Sequence, residues 1–306
     1  MKTIAKGVYP TMITPYDRDG SIDFDAVRRL TEWYIQNGCT GVFAVCQSSE
    51  MFFLSLEEKA ALAKAVVEQA AGRISVVASG HCGDSIAAQA EEINTVAAAG
   101  VDAFVLVSNR LDPHNDGDDV WIANAEKLLA AIDPALPLGI YECPHPYKRL
   151  LTPRILDWCV KSGRFCFIKD TCCEPEMLEQ RLAQLNGTGV ALFNANEQTL
   201  LHSLQHGAAG YSGIMGNFHP DLLVRLYDSF EAHPQAAQAL SDILSMTAFT
   251  EALAYPVTAK YYLNTFENVS MEHTSRSRDA KALTPYHKLV MEQLYRLHTV
   301  LRAQVL

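Results

Sequence analysis

Apolar runs of strand length alternate along this chain with longer amphipathic stretches. Near-continuous apolar runs, rich in Val, Ile and Phe, occupy residues 8–13, 41–46, 74–78, 103–107, 138–142, 165–169, 189–193 and 209–213. Such runs suit parallel strands buried on both faces. Between them the apolar residues recur at helical spacing. In 23–37 the recurring positions are Phe24, Val27, Leu30, Trp33 and Tyr34. The stretches 56–71, 85–99, 119–132, 152–161, 175–184, 197–206 and 220–230 follow the same period. Local chemistry marks several boundaries. Ser55 with Glu58 is a capping-box pair, and Thr152-Pro153 reads as an N-cap followed by the first helical position. Gly38, Gly72, Gly100 and Gly207 fall just past helical stretches, where a left-handed residue is wanted.

Eight strand–helix units in succession predict an α/β fold, a (β/α)8 TIM barrel spanning residues 1–232. A doubly wound sheet fits less well, because no G-x-G-x-x-G or P-loop follows the first strand. Residues 233–306 read as helical throughout. They predict a C-terminal helical extension packed on the barrel, with no independent domain.

Composition narrows the function classes. The 306 residues are 49% hydrophobic and 20% charged, enough to build a large core. The formal charge of −10 argues against nucleic acid or an anionic membrane surface as partner. No apolar run is long enough to span a bilayer, and MKTIAKGVYPTMITP lacks the apolar core of a signal peptide. A soluble cytoplasmic protein is expected. Eight cysteines without a C-x-x-C pair predict free thiols, mostly buried.

In a barrel the chemistry sits at the C-terminal ends of the strands. Lys169 ends the apolar run FCFIKD. An ammonium there is costly, so its pKa should fall, and a neutral amine can attack a carbonyl to form a Schiff base. A lysine paired with Asp170 is the structural alternative. Tyr141 ends the preceding strand, where a phenol beside an amine can relay protons. A core tyrosine is the alternative. The segment Cys46-Gln47-Ser48-Ser49-Glu50 joins an apolar run to a capped helix. Its hydroxyls and N–H groups can cradle a carboxylate, though an ordinary turn would look the same.

Together, and in this order, these features resemble the dihydrodipicolinate synthase and N-acetylneuraminate lyase family of class I aldolases. The resemblance runs from TMITPYDRDGSID through GVFAVCQSSEMFFLSLEEK, GIYECP and FIKDT to GAAGYSGIMGNFHPDL. It implies a homotetramer, no metal or organic cofactor, and a small 2-oxo acid as substrate, typically pyruvate. It makes Lys169 the imine-forming lysine and Tyr141 the proton shuttle. The carboxylate-binding loop falls on Cys46–Glu50, with Glu50 fixing the loop. Gln47, Ser48, Ser49, Ser212, Glu197 and Arg110 are the expected substrate-binding residues.

Departures from the family are equally informative. Gln47 replaces a hydroxyl residue, and an amide cannot join a hydroxyl proton relay. No tyrosine stands in Ser108-Asn109-Arg110-Leu111-Asp112-Pro113, where the synthases place one that crosses a subunit interface. Pro146 occupies the position of their substrate-binding arginine, for which Lys148 or Arg149 are the nearby substitutes. The reading is therefore a lyase on a 2-oxo acid that departs from the synthase reaction. A 2-keto-3-deoxy sugar acid aldolase or dehydratase, and a non-catalytic 2-oxo-acid-binding protein, are the alternatives. His202 and His206 stand four apart, a spacing that can bind zinc. Their helix lies outside the barrel, so metal catalysis is not expected.

Overall fold

The structure, a computed structural model, describes residues 3–304. Residues 1–2 and 305–306, at the outer ends of the two expected segments, lie outside that range. The strands are β1 (Gly7–Val8), β2 (Gly41–Ala44), β3 (Ser75–Ala78), β4 (Ala103–Val107), β5 (Leu138–Tyr141), β6 (Phe165–Asp170), β7 (Ala191–Asn194) and β8 (Gly210–Tyr211). All pair in parallel, in the order β1-β8-β7-β6-β5-β4-β3-β2. Thr40 N–H to Val8 O, Phe43 N–H to Pro10 O and Met12 N–H to Phe43 O close the ring between β1 and β2. The predicted (β/α)8 barrel is present.

Each strand is followed by a helix: α1 (Phe24–Gln36), α2 (Leu56–Ala70), α3 (Ile86–Ala97), α4 (Asp118–Ala130), α5 (Pro153–Ser162), α6 (Pro175–Leu185), α7 (Leu200–Gln205) and α8 (Pro220–Ser229). Ser55 and Glu58 form the capping box of α2, and Thr152 caps α5 with Pro153 in its first turn. Gly38, Gly72, Gly100 and Gly207 all take positive φ. Several strands are shorter than their apolar runs, the first and the last most of all. In the first, Pro10 has no N–H to give, so the ladder stops at Val8 and resumes only as a bridge between Thr11 and Phe43. In the last, Gly210 lies so close to β1 that a Cβ would meet Gly7 O at 1.8 Å. The tail adds α9 (Pro234–Thr247), α10 (Val257–Phe266) and α11 (Pro285–Ala303). α9 packs on α7 and α8, and α11 packs on α8 and α10. None of the helices among the described residues is long and apolar enough to cross a membrane. All eight cysteines are free; six are buried, Cys82 is intermediate and Cys173 is exposed.

Side chains alternate along β5 and β6, and this aims the chemistry. Tyr141 pairs in register with Lys169. The next residue on each strand, Glu142 and Asp170, is fully buried on the other side. Arg181 of α6 bridges the two carboxylates, 2.7 Å from Glu142 Oε1 and in contact with Asp170. Glu142 also accepts the N–H groups of Leu151 and Thr171, at 2.7 and 2.9 Å. Removing one partner from a buried ionic cluster strands the rest. Arg181→Leu should therefore lower unfolding stability by about 3–5 kcal/mol. Equilibrium denaturation would measure this, and a loss below about 1 kcal/mol would mean that the cluster does not hold the strand ends.

Candidate active site

The barrel interior is filled by rings. Tyr9, Phe167 and Phe193 meet with centroids 4.7–5.7 Å apart, and Phe43 packs 6.0 Å from Phe167. Lys169 stands above this apolar plug. Its Nζ lies 4.2 Å from the centre of the Tyr141 ring and 5.9 Å from that of Phe43. The residue is 6% exposed, and burial lowers its pKa from the ordinary lysine value. Among the described residues no carboxylate forms an ion pair with it; Asp170 is occupied by Arg181 on the opposite face. The amine opens into a cavity of about 520 Å³ that Tyr141, Gln47, Ser48 and Glu251 also line.

Burial raises the Tyr141 pKa well above the usual phenol value, so the hydroxyl keeps its proton. It donates to Gln47 Oε1 at 3.1 Å, as does the Cys143 thiol at 3.4 Å. The Gln47 amide NH2 then has no protein acceptor among the described residues. The loop carrying it is bent by two left-handed residues, Val45 (φ 50°) and Glu50 (φ 61°). A β-branched residue resists that conformation, which costs on the order of 1–3 kcal/mol. The loop's own bonds hold it in place. Ser49 Oγ donates to Met12 O at 2.6 Å and accepts from Cys46 N–H, and Thr14 Oγ1 donates to Ser49 O. The backbone N–H groups of Gln47 and Ser48 have no acceptor among the described residues. Beside them Ser48 Oγ donates to Thr11 Oγ1 at 3.1 Å. Gln47 and Ser48 line the same cavity as the amine, and unpaired N–H donors in such a loop are of the kind that can hold an anion.

Glu50 anchors the loop to the tail. Its Oε2 accepts from Ser275 Oγ and from the N–H groups of Arg276 and Ser277, at 2.6–2.9 Å. Its Oε1 lies 3.4 Å from Nζ of Lys260, which is fully buried. Burial brings the Lys260 pKa down to about 8, opposed by Glu50. Arg276 adds contacts to Glu58, Gly20 O and Phe53 O. The segment around Ser277 is thus strapped to the rim of the cavity, which Ser277 lines.

The tail also sends two side chains into the site that sequence reasoning did not single out. Glu251 comes from a single 3-10 turn (Ala248–Ala252) and lines the cavity with Lys169. Burial, then the charge of Glu197, raise its pKa to about 7, while Lys169 pulls the other way. Tyr255 lines the cavity beside Ser48, and its hydroxyl accepts from Asn217 Nδ2 at 3.3 Å. A Glu and a Tyr within an amphipathic tail carry no local signal, since a helix face accounts for both.

The expected site residues divide. Lys169, Tyr141, Gln47 and Ser48 line one cavity. Ser49 is outside the lining, its hydroxyl spent on Met12 O. Ser212 is buried next to the lining residue Gly213, its hydroxyl without a protein partner. Arg110 sits one layer back, pairing with Asp84 at 3.1 Å and lying over the ring of Phe52. Glu197 is also outside the lining. Its Oε1 takes His219 Nε2 at 2.9 Å; His219 Nδ1 meets His298 Nε2 at 3.0 Å, and His298 Nδ1 meets the Tyr262 hydroxyl at 2.8 Å. A carboxylate stands at one end of this buried chain and a phenol at the other, and burial lowers the His298 pKa. Of the two substitutes for the missing arginine, Lys148 lines the cavity, whereas Arg149 is spent on Asp112 and Asp118.

Comparison with known proteins agrees with this architecture. Residues 4–277 match the model of the dihydrodipicolinate synthetase family. The 4-hydroxy-tetrahydrodipicolinate synthase of Ruegeria pomeroyi is 30% identical over 223 residues, 71% of this chain and 72% of that protein. The dihydrodipicolinate synthase of Bacillus anthracis superposes with a TM-score of 0.86 at 19% identity, covering 96% of this chain and 99% of that one. A catalytic-lysine mutant of the sialic acid aldolase of Ruminococcus gnavus superposes with a TM-score of 0.85 at 19% identity, covering 98% of each chain. At those identities the structures share the fold. The family match spans most of the sequence, and this chain belongs to the dihydrodipicolinate synthetase family, whose members are aldolases and lyases.

Proposed function

We propose that this protein is a Schiff-base aldolase that cleaves a 4-hydroxy-2-oxo acid to pyruvate and an aldehyde. One observation carries the reading: a buried, unpaired lysine rests on a protonated phenol inside a cavity with an anion cradle at its side. The catalytic lysine of the R. gnavus aldolase supports it by likeness. The substrate carboxylate takes the N–H groups of Gln47 and Ser48, which places the 2-oxo carbon beside Lys169. The neutral amine attacks that carbon. One amine proton passes to the oxygen to give the carbinolamine, Tyr141 donates the second, the oxygen leaves as water, and the nitrogen keeps the cationic imine. A base then takes the 4-hydroxyl proton and the C3–C4 bond breaks. Its electron pair flows into the imine to form an enamine, and the aldehyde departs. Protonation at C3 and addition of water release pyruvate and the free lysine.

Glu251 is the base in this scheme: of the two carboxylates that line the cavity with the lysine, Glu50 is engaged by Lys260, Ser275 and the N–H groups of Arg276 and Ser277. Glu197 stands behind it as a fixed negative charge. Lys148 is the cation available to a second carboxylate on the substrate. The synthase reaction of the named relatives fits this site less well. Gln47 ends the hydroxyl relay, and Pro146 stands where the synthases have an arginine. Homotetrameric assembly and a cytoplasmic location belong to the same reading, and the exposed side chains of Met246 and Phe249 support the first.

Borohydride reduction in the presence of pyruvate should add the mass of the reduced pyruvyl imine to Lys169, located by peptide mass spectrometry. Tyr141→Phe should slow trapping by roughly 100-fold or more, the range of a lost general acid. Failure to label Lys169 would overturn the Schiff-base mechanism. The second expectation concerns pH. Below about pH 7 Glu251 is protonated and cannot accept the 4-hydroxyl proton. The kcat/KM for cleavage should therefore climb through pH 7. Glu251→Gln should abolish that limb and cost about 100-fold or more in cleavage, while leaving pyruvate trapping on Lys169 intact. An unchanged pH profile in the variant would remove Glu251 from the chemistry.

A further inference from the structure

Outside the barrel, on the face formed by α6 and α7, three metal-ligating side chains converge. Glu179 of α6, His202 of α7 and His206 just past the end of α7 each place a donor atom within 4.8 Å of the other two. His202 Nε2 is 2.9 Å from Glu179 Oε1 and His206 Nε2 is 3.7 Å from the same oxygen. We infer that this cluster is a binding site for a divalent transition-metal ion, Zn2+ above all, that clamps α6 to α7.

Two features set the cluster apart from an ordinary surface pair. The first is the His206 tautomer. Its Nδ1 lies 2.8 Å from the carbonyl of His202, an acceptor, so Nδ1 carries the hydrogen. Nε2 then presents a lone pair toward Glu179 and His202. Metal-bound imidazoles are oriented this way, the second ring nitrogen donating to a backbone carbonyl. The second is His202. Its Nε2 is shielded from solvent and makes no hydrogen bond, although a carboxylate oxygen is 2.9 Å away. The oxygen lies off the line of the ring N–H, so a hydrogen does not join the two atoms well. A cation shared between them has no such directional demand. With Zn–N and Zn–O lengths of about 2.0–2.2 Å, tetrahedral ligands stand roughly 3.3 Å apart. The two separations to Glu179 bracket that value, and the two imidazole nitrogens lie within 4.8 Å of each other. Glu179 and the two imidazoles give a three-ligand set of net charge −1, leaving the fourth position for water. Glu179 and His206 also line a cavity of about 460 Å³ reaching to Thr3 and Lys6, which gives the ion an approach from solvent.

This site is separate from the catalytic cavity, and its role is mechanical. An ion bound only by the folded chain stabilises that fold by mass action. It would tie the helix that carries Arg181 to the short helix that follows Glu197.

The test uses the full chain freed of metal with chelator, then titrated with ZnCl2 by calorimetry and with CoCl2 by absorbance. One Zn2+ per chain should bind, and saturation should raise the melting temperature. His202→Ala and His206→Ala should each weaken binding by roughly tenfold or more and abolish the thermal shift, with Glu179→Gln weakening it less. The Co2+ complex should show visible bands of a nitrogen–oxygen ligand set without a thiolate charge-transfer band. Equal binding in the His202→Ala/His206→Ala double variant, a thiolate band, or no binding to a folded wild-type chain would each overturn the inference. Borohydride trapping at Lys169 should be the same in wild type and double variant, so its outcome bears on the catalytic reading alone.

Discussion

The paired ends of β5 and β6 hold the molecule's chemistry, and a buried ionic cluster holds those ends. A strand alternates its faces, so a residue that must point into the barrel fixes its neighbour to point out. Lys169 and Tyr141 face inward in register; Asp170 and Glu142 must therefore face the helices. Two carboxylates buried side by side repel, and burial together with Asp170 raises the pKa of Glu142. Arg181 answers both at once. The same guanidinium donates to Leu151 O at 2.7 Å, which joins the loop after β5 to the arrangement. The cluster thus takes Asp170 out of reach of Lys169. Among the described residues no carboxylate forms an ion pair with the lysine, and burial lowers its pKa.

Much of the barrel was legible in the sequence because parallel strands covered on both faces are written as consecutive apolar residues. Phe165, Cys166, Phe167 and Ile168 are all fully buried, and no alternation dilutes the signal. Lys169 and Tyr141 were legible for the same reason, each being the polar residue that ends such a run. The strand limits were less so. Gly210 and Pro10 set them through backbone geometry, which hydropathy does not encode. Glu197 was read as facing substrate because it follows β7 closely. Its direction is decided by His219 and His298, the second of them lying in α11. A partner so distant in sequence leaves no local trace.

The tail is where sequence and site part most clearly. Residues 233–306 read as a helical cover, and α9, α10 and α11 do pack as helices. The side chains that reach the cavity come from between them: Glu251 in the 3-10 turn, Tyr255, and Ser277 in the strap. These positions follow from long-range bonds: Ser245 Oγ to Glu197 O, Gln198 Nε2 to Ser245 O, and the Glu50 carboxylate to the backbone of Arg276 and Ser277. The catalytic cavity is therefore not a property of the barrel alone. Its floor is barrel, and part of its wall is tail.

That division has an electrostatic logic. The chain carries ten excess negative charges, and its expected substrate is an anion. The barrel side of the cavity supplies what an anion needs: amide donors at Gln47 and Ser48, the amine of Lys169 and the ammonium of Lys148. The tail side supplies Glu251, a carboxylate whose affinity for a proton has been raised. Glu251 gains that affinity from burial and from the neighbouring Glu197, which is itself held in place by hydrogen bonds that run through His219 and His298 to Tyr262. Lys169 lines the same cavity and opposes that rise, so the amine and the carboxylate set each other's proton affinity.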